Sequence, residues 1–317
     1  MTQNNSLSQI HQTIKTADSI VILPHMKPDG DTLGSSIALC RYLRYLGKAA
    51  VIYLIDDIPD NISFLDQSHM VAEAPEAVDL VIAIDSSDRE RLDERVKEFD
   101  APLINLDHHQ TNTRYGDFNY ILPTASTGEI IYHILKEWGA PFDQLTQEAL
   151  YTAIATDTNR FYYRSTTAKT LRAVADLMDQ GLEPIKLNNL IYGQIPLAKK
   201  KLQAYALQEA EIKARGQLIF TEISNQTKEA FGTDDTDDIV ESLRDIAGVE
   251  VAVLSYQYGE DWRLSLRSKE YVDVGEIAYR FDGGGHHGAA GISIEAKDYP
   301  ETLRLVLSEI EAKLAQR

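Results

Sequence analysis

The sequence predicts an α/β protein: an N-terminal, mostly parallel sheet flanked by helices, a helical connector, and a smaller α+β (α/β) domain after it. Three observations carry this. Apolar runs at 19–24, 79–85 and 102–107 are short, bounded by turn residues and separated by helical patterns, as buried parallel strands are. Each run delivers titratable residues at its end: His25, Asp85, and Asp107-His108-His109. From about residue 211 the pattern changes to paired strands around glycines. The boundaries read as 1–185 for the first domain, 186–210 for the linker and 211–317 for the second domain.

Taken in order, Leu7, Ile10 and Ile14 fall at helical spacing and predict an amphipathic helix over 7–17. A strand at 19–24 leads through a charged turn into a helix over 32–46, closed by Gly47. A strand over 50–55 and a short helix near 59–65 follow. Strand 79–85, a charged helix over 88–99 and strand 102–107 come next. Ser126 or Thr127 caps a helix running to Trp138. Helices over 145–156 and 167–180 follow, the second ended by Gly181. Residues 183–210 are helical and sparsely apolar, with Lys199–Lys201 on a solvated face. In the second domain, 211–214 and 218–223 flank Arg215-Gly216 as a hairpin. Asp234–Asp238 precedes a helix to Ala247, where the dipole favours acids. A calcium loop is excluded there, since its glycine and terminal glutamate are missing. Strands at 249–258 and 262–267 surround Gly259, and a helix over 273–280 leads to the glycine run 283–291. A strand and a closing helix over 299–315 end the chain.

Composition narrows the function. Of 317 residues, 31 are Lys or Arg and 49 are Asp or Glu, a net charge of −18. Long nucleic-acid duplexes are held by basic phosphate contacts, so such a partner is not expected. A small anion in a local positive site remains compatible. Cys40 is the single cysteine, which excludes an internal disulfide and a thiolate metal cluster. It lies among Ile37, Leu39 and Leu43 and reads as core. The polar N-terminal stretch and the lack of a run of membrane-spanning length predict a soluble, cytoplasmic protein with no membrane partner.

The chemistry concentrates in His25-Met-Lys-Pro-Asp29-Gly-Asp31. One imidazole and two carboxylates share a strand-to-helix turn, at the carboxyl end of a strand where ligands of open α/β sheets bind. A divalent cation held by oxygen and nitrogen is the simplest agent to neutralise them. Singly, each fragment has an ordinary explanation: Asp-x-Asp is common in turns, and Asp85 can cap the helix after it. The histidines shift the balance. Five of the 8 fall in three motifs, His25, His108-His109 and His286-His287, leaving His11, His69 and His133 elsewhere.

His25-x-x-Pro28-Asp29-Gly30-Asp31 with Gly34-Ser35, then Asp85, then Asp107-His108-His109, then Thr156-Asp157-Thr158 resembles, in order and spacing, the DHH phosphoesterase superfamily. Ser265-Leu-Arg267-Ser268 and the glycine run Gly283–Gly291 are similar to the subgroup with the DHH-associated C-terminal domain, and within it to the nanoRNase/pAp phosphatase group. The resemblance covers essentially the whole chain. It implies two Mn2+ ions, with Mg2+ or Co2+ as substitutes. His25, Asp29 and Asp85 would hold one, and Asp31, Asp85, His108 and Asp157 the other, with Asp85 bridging. Four carboxylates against two divalent cations sum to zero. The resemblance further implies that His109 touches substrate phosphate and protonates or stabilises the leaving group, while Asp107 orients its neighbours. Two cations would activate a water and clamp a phosphoryl oxygen for in-line attack.

In the second domain Gly283, Gly284 and Gly285 allow close backbone approach, so that main-chain N–H groups can line an anion site. Arg267 can grip a phosphate and His286 can add a bond, with Ser268 beside them. By resemblance, this domain takes the substrate's far phosphate and nucleoside, and the cleft between domains is the active site. A glycine-rich turn is the plainer alternative. Two positions depart from the family: Asn159 and Asp282 stand where glycine is frequent, and both residue types tolerate the left-handed region. Arg160 can reach a phosphate, and Phe161, Tyr163 and Tyr192 can stack on a base; surface exposure and core packing are the plainer readings.

The expected activity is phosphoester hydrolysis of short RNA oligonucleotides, of the linear dinucleotide pApA from cyclic di-AMP turnover, and of pAp, to mononucleotides. Assembly as a homodimer stays open. The rivals are an inorganic pyrophosphatase of the same superfamily, against which the glycine run argues, and a nucleotide-binding module without catalysis, against which the complete set of six ligands argues. A membrane-bound cyclic-dinucleotide phosphodiesterase is disfavoured by the absence of a preceding apolar segment.

Overall fold

The computed structural model describes residues 4–316. The chain divides into two compact units, one ending at Gln194 and the other beginning at Ile195. The helical stretch between the two sheets is shared between them. Its first helix, α6 (Pro184–Tyr192), belongs to the first unit, and its second, α7 (Leu197–Gln208), to the second.

The first unit is built on six parallel strands: β1 (Ser19–Pro24), β2 (Ala49–Tyr53), β3 (Met70–Val71), β4 (Leu80–Ile84), β5 (Leu103–Asp107) and β6 (Phe118–Ile121). Their order is β3-β2-β1-β4-β5-β6. The central strands are runs of Ile, Val and Leu buried on both faces, which only a sheet covered on both sides accommodates. The chain winds outward from β1 to β3, returns to pair β4 with β1, and winds out the other way. The switch point therefore lies between the carboxyl ends of β1 and β4.

One face is covered by α1 (Leu7–Thr16), α2 (Gly30–Tyr45), α3 (Thr127–Glu137), α4 (Gln144–Asp157) and α5 (Ala168–Asp179). The helices crowd α4 closely. A Cβ on Gly34 of α2 would stand 2.2 Å from the Ala149 carbonyl, and one on Gly128 of α3 would stand 2.4 Å from the Ala153 Cβ. The opposite face carries a segment that the sequence suggests as an α-helix. It is a run of 3-10 turns, Glu90–Glu98. Leu92 and Arg95 are both drawn inward, and a spacing of three matches the tighter winding. Arg95 is buried, with Nη1 donating to Tyr53 O (3.1 Å) and Nη2 to Pro24 O (3.2 Å) at the ends of β2 and β1. The short strands β3 and β6 are not apparent from sequence. The first has two residues, and the second is an edge whose outer side is bonded by Asn5: its N–H donates to Asn119 O, and its side-chain oxygen accepts from Asn119 N–H, both at 2.8 Å.

The second unit holds β7 (Glu211–Lys213), β8 (Leu218–Ile223), β9 (Val251–Tyr258), β10 (Asp261–Ser268), β11 (Gly284–His286) and β12 (Ala289–Ile294), ordered β11-β12-β10-β9-β8-β7. Only β8 and β9 run parallel; the other pairs are antiparallel. One face packs on α10 (Val274–Tyr279) and α11 (Tyr299–Leu314). The other packs on α7, α8 (Asn225–Phe231) and α9 (Ile239–Arg244). Helix α8 is too short and polar to announce itself in the sequence. Among the described residues no helix is long and apolar enough to cross a membrane.

Candidate metal centre

Three neighbouring strands point their carboxyl ends at one place. β1 runs into His25, β4 into Asp85, and β5 ends in Asp107 followed by His108 and His109. The first turn of α2 adds two carboxylates. Asp29 is its N-cap, accepting the Thr32 N–H at 2.9 Å, and Asp31 is the second residue of the helix. Asp157, the last residue of α4, completes the group.

The ligating atoms fall into two sets. His25 Nε2 lies 3.8 Å from Asp29 Oδ2 and 3.6 Å from Asp85 Oδ2. His108 Nε2 lies 3.9 Å from Asp31 Oδ2, 3.6 Å from Asp85 Oδ1 and 3.4 Å from Asp157 Oδ2. His25, Asp29 and Asp85 can all turn one atom within 4.8 Å of one another, and so can Asp31, His108 and Asp157. Asp85 faces both sets, one oxygen to each. These separations are too long for hydrogen bonds. Two ligands at about 2.1 Å from one ion stand about 3.0–3.6 Å apart, so side chains spaced like this fit a shared cation with small adjustments.

The imidazoles are aimed by their other nitrogens. His25 Nδ1 pairs with Met26 O (2.7 Å) and His108 Nδ1 with Thr124 O (3.3 Å), which leaves each Nε2 as the unprotonated ligand atom. His109 Nδ1 lies 2.7 Å from Asp107 Oδ1. Asp107 is fully buried and also accepts from the main-chain N–H of His108 (2.8 Å) and from Asn112 Nδ2 (2.5 Å).

Three supports are not evident from sequence. Thr32 Oγ1 donates to Asp85 Oδ2 (2.7 Å), and Thr127 Oγ1 donates to Asp85 Oδ1 (2.8 Å). The N-terminus of α3 closes on Asp31, with Thr127 N at 2.7 Å and Gly128 N at 2.8 Å. The sequence signal was the Ser126-Thr127 cap, because a helix N-terminus presents free N–H groups to an anion.

Electrostatics agree with a cation site. Burial and the charges of Asp85, Asp157 and Asp29 push Asp31 well above the usual carboxylate range. Burial and Asp29 raise Asp85 as well, with the three histidines partly offsetting them. Burial lifts Asp157 to about 6, against the pull of His108. Asp29 differs: burial opposes its ionisation, but His25 and the Thr32 N–H prevail and hold it at about 2. Burial would lower His25 and His109, yet the carboxylates beside them raise both. Among the described residues, no Lys or Arg lies within ion-pair distance of Asp31, Asp85 or Asp157.

The residues singled out in the second domain lie on two strands of its sheet, the edge strand β11 and β10 two places in. Gly284, Gly285 and His286 form β11, an edge strand rather than a loop, paired only with β12. Gly285 has φ 145°, and a Cβ there would meet Ala289 O at 2.4 Å. His286 is exposed. Arg267 is half-buried and already engaged: Nε donates to Glu241 Oε1 (2.7 Å) and Nη1 to Leu266 O (3.0 Å). Ser268 is buried, and its hydroxyl donates to His287 O (3.0 Å), which ties β10 to the glycine turn. Asn159 and Asp282 both adopt positive φ, 45° and 56°, the conformation a glycine would take.

A doubly wound sheet with histidine and carboxylate sets at its switch point defines a candidate divalent-cation centre. Residues 19–156 match the DHH family, N-terminal domain, and residues 216–316 match the DHHA1 domain. The chain is 30% identical over 303 residues to the bifunctional oligoribonuclease and PAP phosphatase NrnA of Thermus thermophilus, covering 94% of this chain and 90% of that one. It is 29% identical over 311 residues to the protein of the same name in Bacillus subtilis, covering 96% and 97%. Its fold is similar to that of an exopolyphosphatase-related protein from Bacteroides fragilis, with a TM-score of 0.89 over 98% of this chain and 97% of that one at 21% identity. The chain belongs to the DHH family of phosphoesterases that carry a DHHA1 domain.

Proposed function

We propose that the protein hydrolyses short oligoribonucleotides, pApA and pAp to mononucleotides, with two divalent cations, Mn2+ foremost, held by His25, Asp29, Asp31, Asp85, His108 and Asp157. The observation that carries this is the pair of ligand sets sharing Asp85, whose two oxygens face His25 and His108 separately. The names of the relatives in Thermus and Bacillus support the substrate class.

When bound, such cations supply a water of lowered pKa and neutralise charge on the phosphoryl oxygens. The remaining work falls to the chain. The main-chain carbonyls of Met26 and Thr124 keep the protons of His25 and His108 on Nδ1. The Thr32 and Thr127 hydroxyls and the α3 N-terminus fix the carboxylates, so that the site does not reorganise when substrate arrives. Asp107 holds a proton on His109 Nδ1, and its charge favours the doubly protonated ring. The ring's Nε2 can then donate to a phosphoryl oxygen or to the leaving oxygen. A net charge of −18 argues against gripping long RNA through many phosphates, which suits short substrates.

The test is release of mononucleotide from pApA, pAp and a two- to five-residue RNA series, with Mn2+, Mg2+, Co2+ or chelator, beside Asp85→Ala. Metal-dependent release that the variant abolishes is expected. Turnover of pyrophosphate alone by the folded, metal-loaded protein would replace this reading with the pyrophosphatase one.

A further inference from the structure

We propose that Arg91 is a phosphate ligand of this centre, its guanidinium taking the non-bridging oxygens of the phosphoryl group that is cleaved. The inference rests on the reading of the site as a phosphoester hydrolase. It assigns a substrate contact within the first unit, distinct from the glycine edge of the second.

The first observation is placement. Arg91 follows β4 on the 3-10 segment, and its main chain is locked onto the His25 turn. Its carbonyl accepts the Met26 N–H at 2.8 Å, and its own N–H donates to Asp88 Oδ1 at 3.0 Å. Met26 is the residue whose carbonyl fixes His25 Nδ1, so Arg91 is one hydrogen bond removed from a metal-ligating turn. Its charge is also felt at His109, whose pKa it lowers against the pull of Asp107 and Asp85.

The second observation is what its side chain lacks. The other half-buried and buried arginines among the described residues are engaged. Arg41 pairs with Asp66 and Asp143, Arg114 bonds Asn4, Arg267 pairs with Glu241, Arg244 with Asp245, and Arg95 bonds strand-end carbonyls. Among the described residues, Arg91 is the half-buried arginine whose guanidinium has no hydrogen-bond, ion-pair or ring partner. Arg89, two residues earlier, is exposed. Arg160, the other arginine near a metal-ligating residue, lies over the Tyr192 ring at 4.2 Å.

The third is chemical need. A phosphate entering a group of five aspartates must meet positive charge, and a guanidinium matches two phosphate oxygens with two parallel N–H donors. A half-buried arginine with an idle fork, whose main chain is bonded to the His25 turn and whose charge reaches His109, meets that description.

The test uses the full chain loaded with Mn2+. Arg91→Gln and Arg91→Lys are compared with wild type and with Arg89→Gln, which removes the same charge from the same segment. The readouts are kcat and KM for pAp, the inhibition constant of inorganic phosphate, Mn2+ affinity and melting temperature. The main-chain bonds of residue 91 survive either substitution, so folding and metal binding should be kept. Arg91→Gln is expected to lower kcat/KM by about tenfold or more and to weaken phosphate inhibition by a similar factor, with lysine restoring part of it. Arg89→Gln should stay within about twofold. Phosphate affinity unchanged in Arg91→Gln overturns the proposal. So does an equal loss in Arg89→Gln, which would make the effect one of general charge, or a loss that tracks lower metal affinity or melting temperature. If wild type hydrolyses neither pAp nor pApA, the proposed function fails. Calorimetry of inorganic phosphate binding to the same proteins then decides Arg91 alone, with weakened binding in Arg91→Gln for it and equal binding against it.

Discussion

Asp85 has φ 59°, a region that non-glycine residues enter only when their surroundings hold them there. The threonine hydroxyls on both of its oxygens do that holding, and burial together with Asp29 makes its charge unfavourable without a cation. Asp85→Asn removes the repulsion and keeps a residue type that accepts positive φ. The metal-free variant should therefore melt a few degrees above the metal-free wild type, while losing the rise in melting temperature that Mn2+ produces. A lower metal-free melting temperature would mean that the two hydroxyl bonds outweigh the repulsion. Asp157 gives the pH dependence. Its pKa is about 6 in the folded chain against about 3.9 unfolded, so folding favours its protonated form. That contribution is whole below pH about 4 and is lost as pH rises through about 6. Metal-free melting temperature should fall over that window, and Asp157→Asn should flatten the fall; equal slopes in the two proteins would refute the assignment. Bound Mn2+ should reverse the slope, because it takes the ionised carboxylate. At this scale the side chains of the candidate site are legible because His25, Asp29 and Asp31, or Asp107, His108 and His109, stand within a few residues of each other. Thr127 is not, since it meets Asp31 from 96 positions away and shows itself in sequence only as part of a helix start.

Elements set the spacing between those side chains. Asp31 rides on α2 and Asp157 on α4, and the two helices approach so closely that Gly34 has no room for a methyl group beside Ala149 O. Gly34→Ala should open that crossing. We expect about 1–3 kcal/mol lost in chemical denaturation and a weaker Mn2+ affinity measured by calorimetry, because the Asp31 to Asp157 distance widens with it. Loss of stability with unchanged metal affinity would show that the helix ends adjust independently of their crossing. The buried strands were plain in the sequence because each is a dense run of Ile, Val and Leu between turn residues. The segment Glu90–Glu98 was not, because its charged composition suits an α-helix as well as 3-10 turns. The choice between them is made by Arg95 reaching the ends of β1 and β2. Strand β6 depends in the same way on Asn5 from a distant part of the chain. The glycine run shows the converse. Its composition suits a turn, and pairing with β12 makes part of it a strand.

For the whole molecule, the decisive feature is that each unit has its own interior. The buried clusters of the first draw on residues up to Ile191, and those of the second on residues from Leu202 onward. All six residues proposed to hold the cations belong to the first unit, whose crowded carboxylates a cation would neutralise, and the glycine edge belongs to the second. A ligand that binds only folded protein stabilises the unit that binds it, by about 2.7 kcal/mol at a hundred times its dissociation constant. Scanning calorimetry should therefore resolve two transitions. Mn2+ should move one of them upward by several degrees relative to chelator, and the other should stay in place. Asp85→Ala should abolish the movement and leave the second transition where it was. A single transition that shifts as a whole would show that the two interiors unfold as one cooperative body. The metal would then stabilise the glycine edge of the second unit as well as the strand ends of the first.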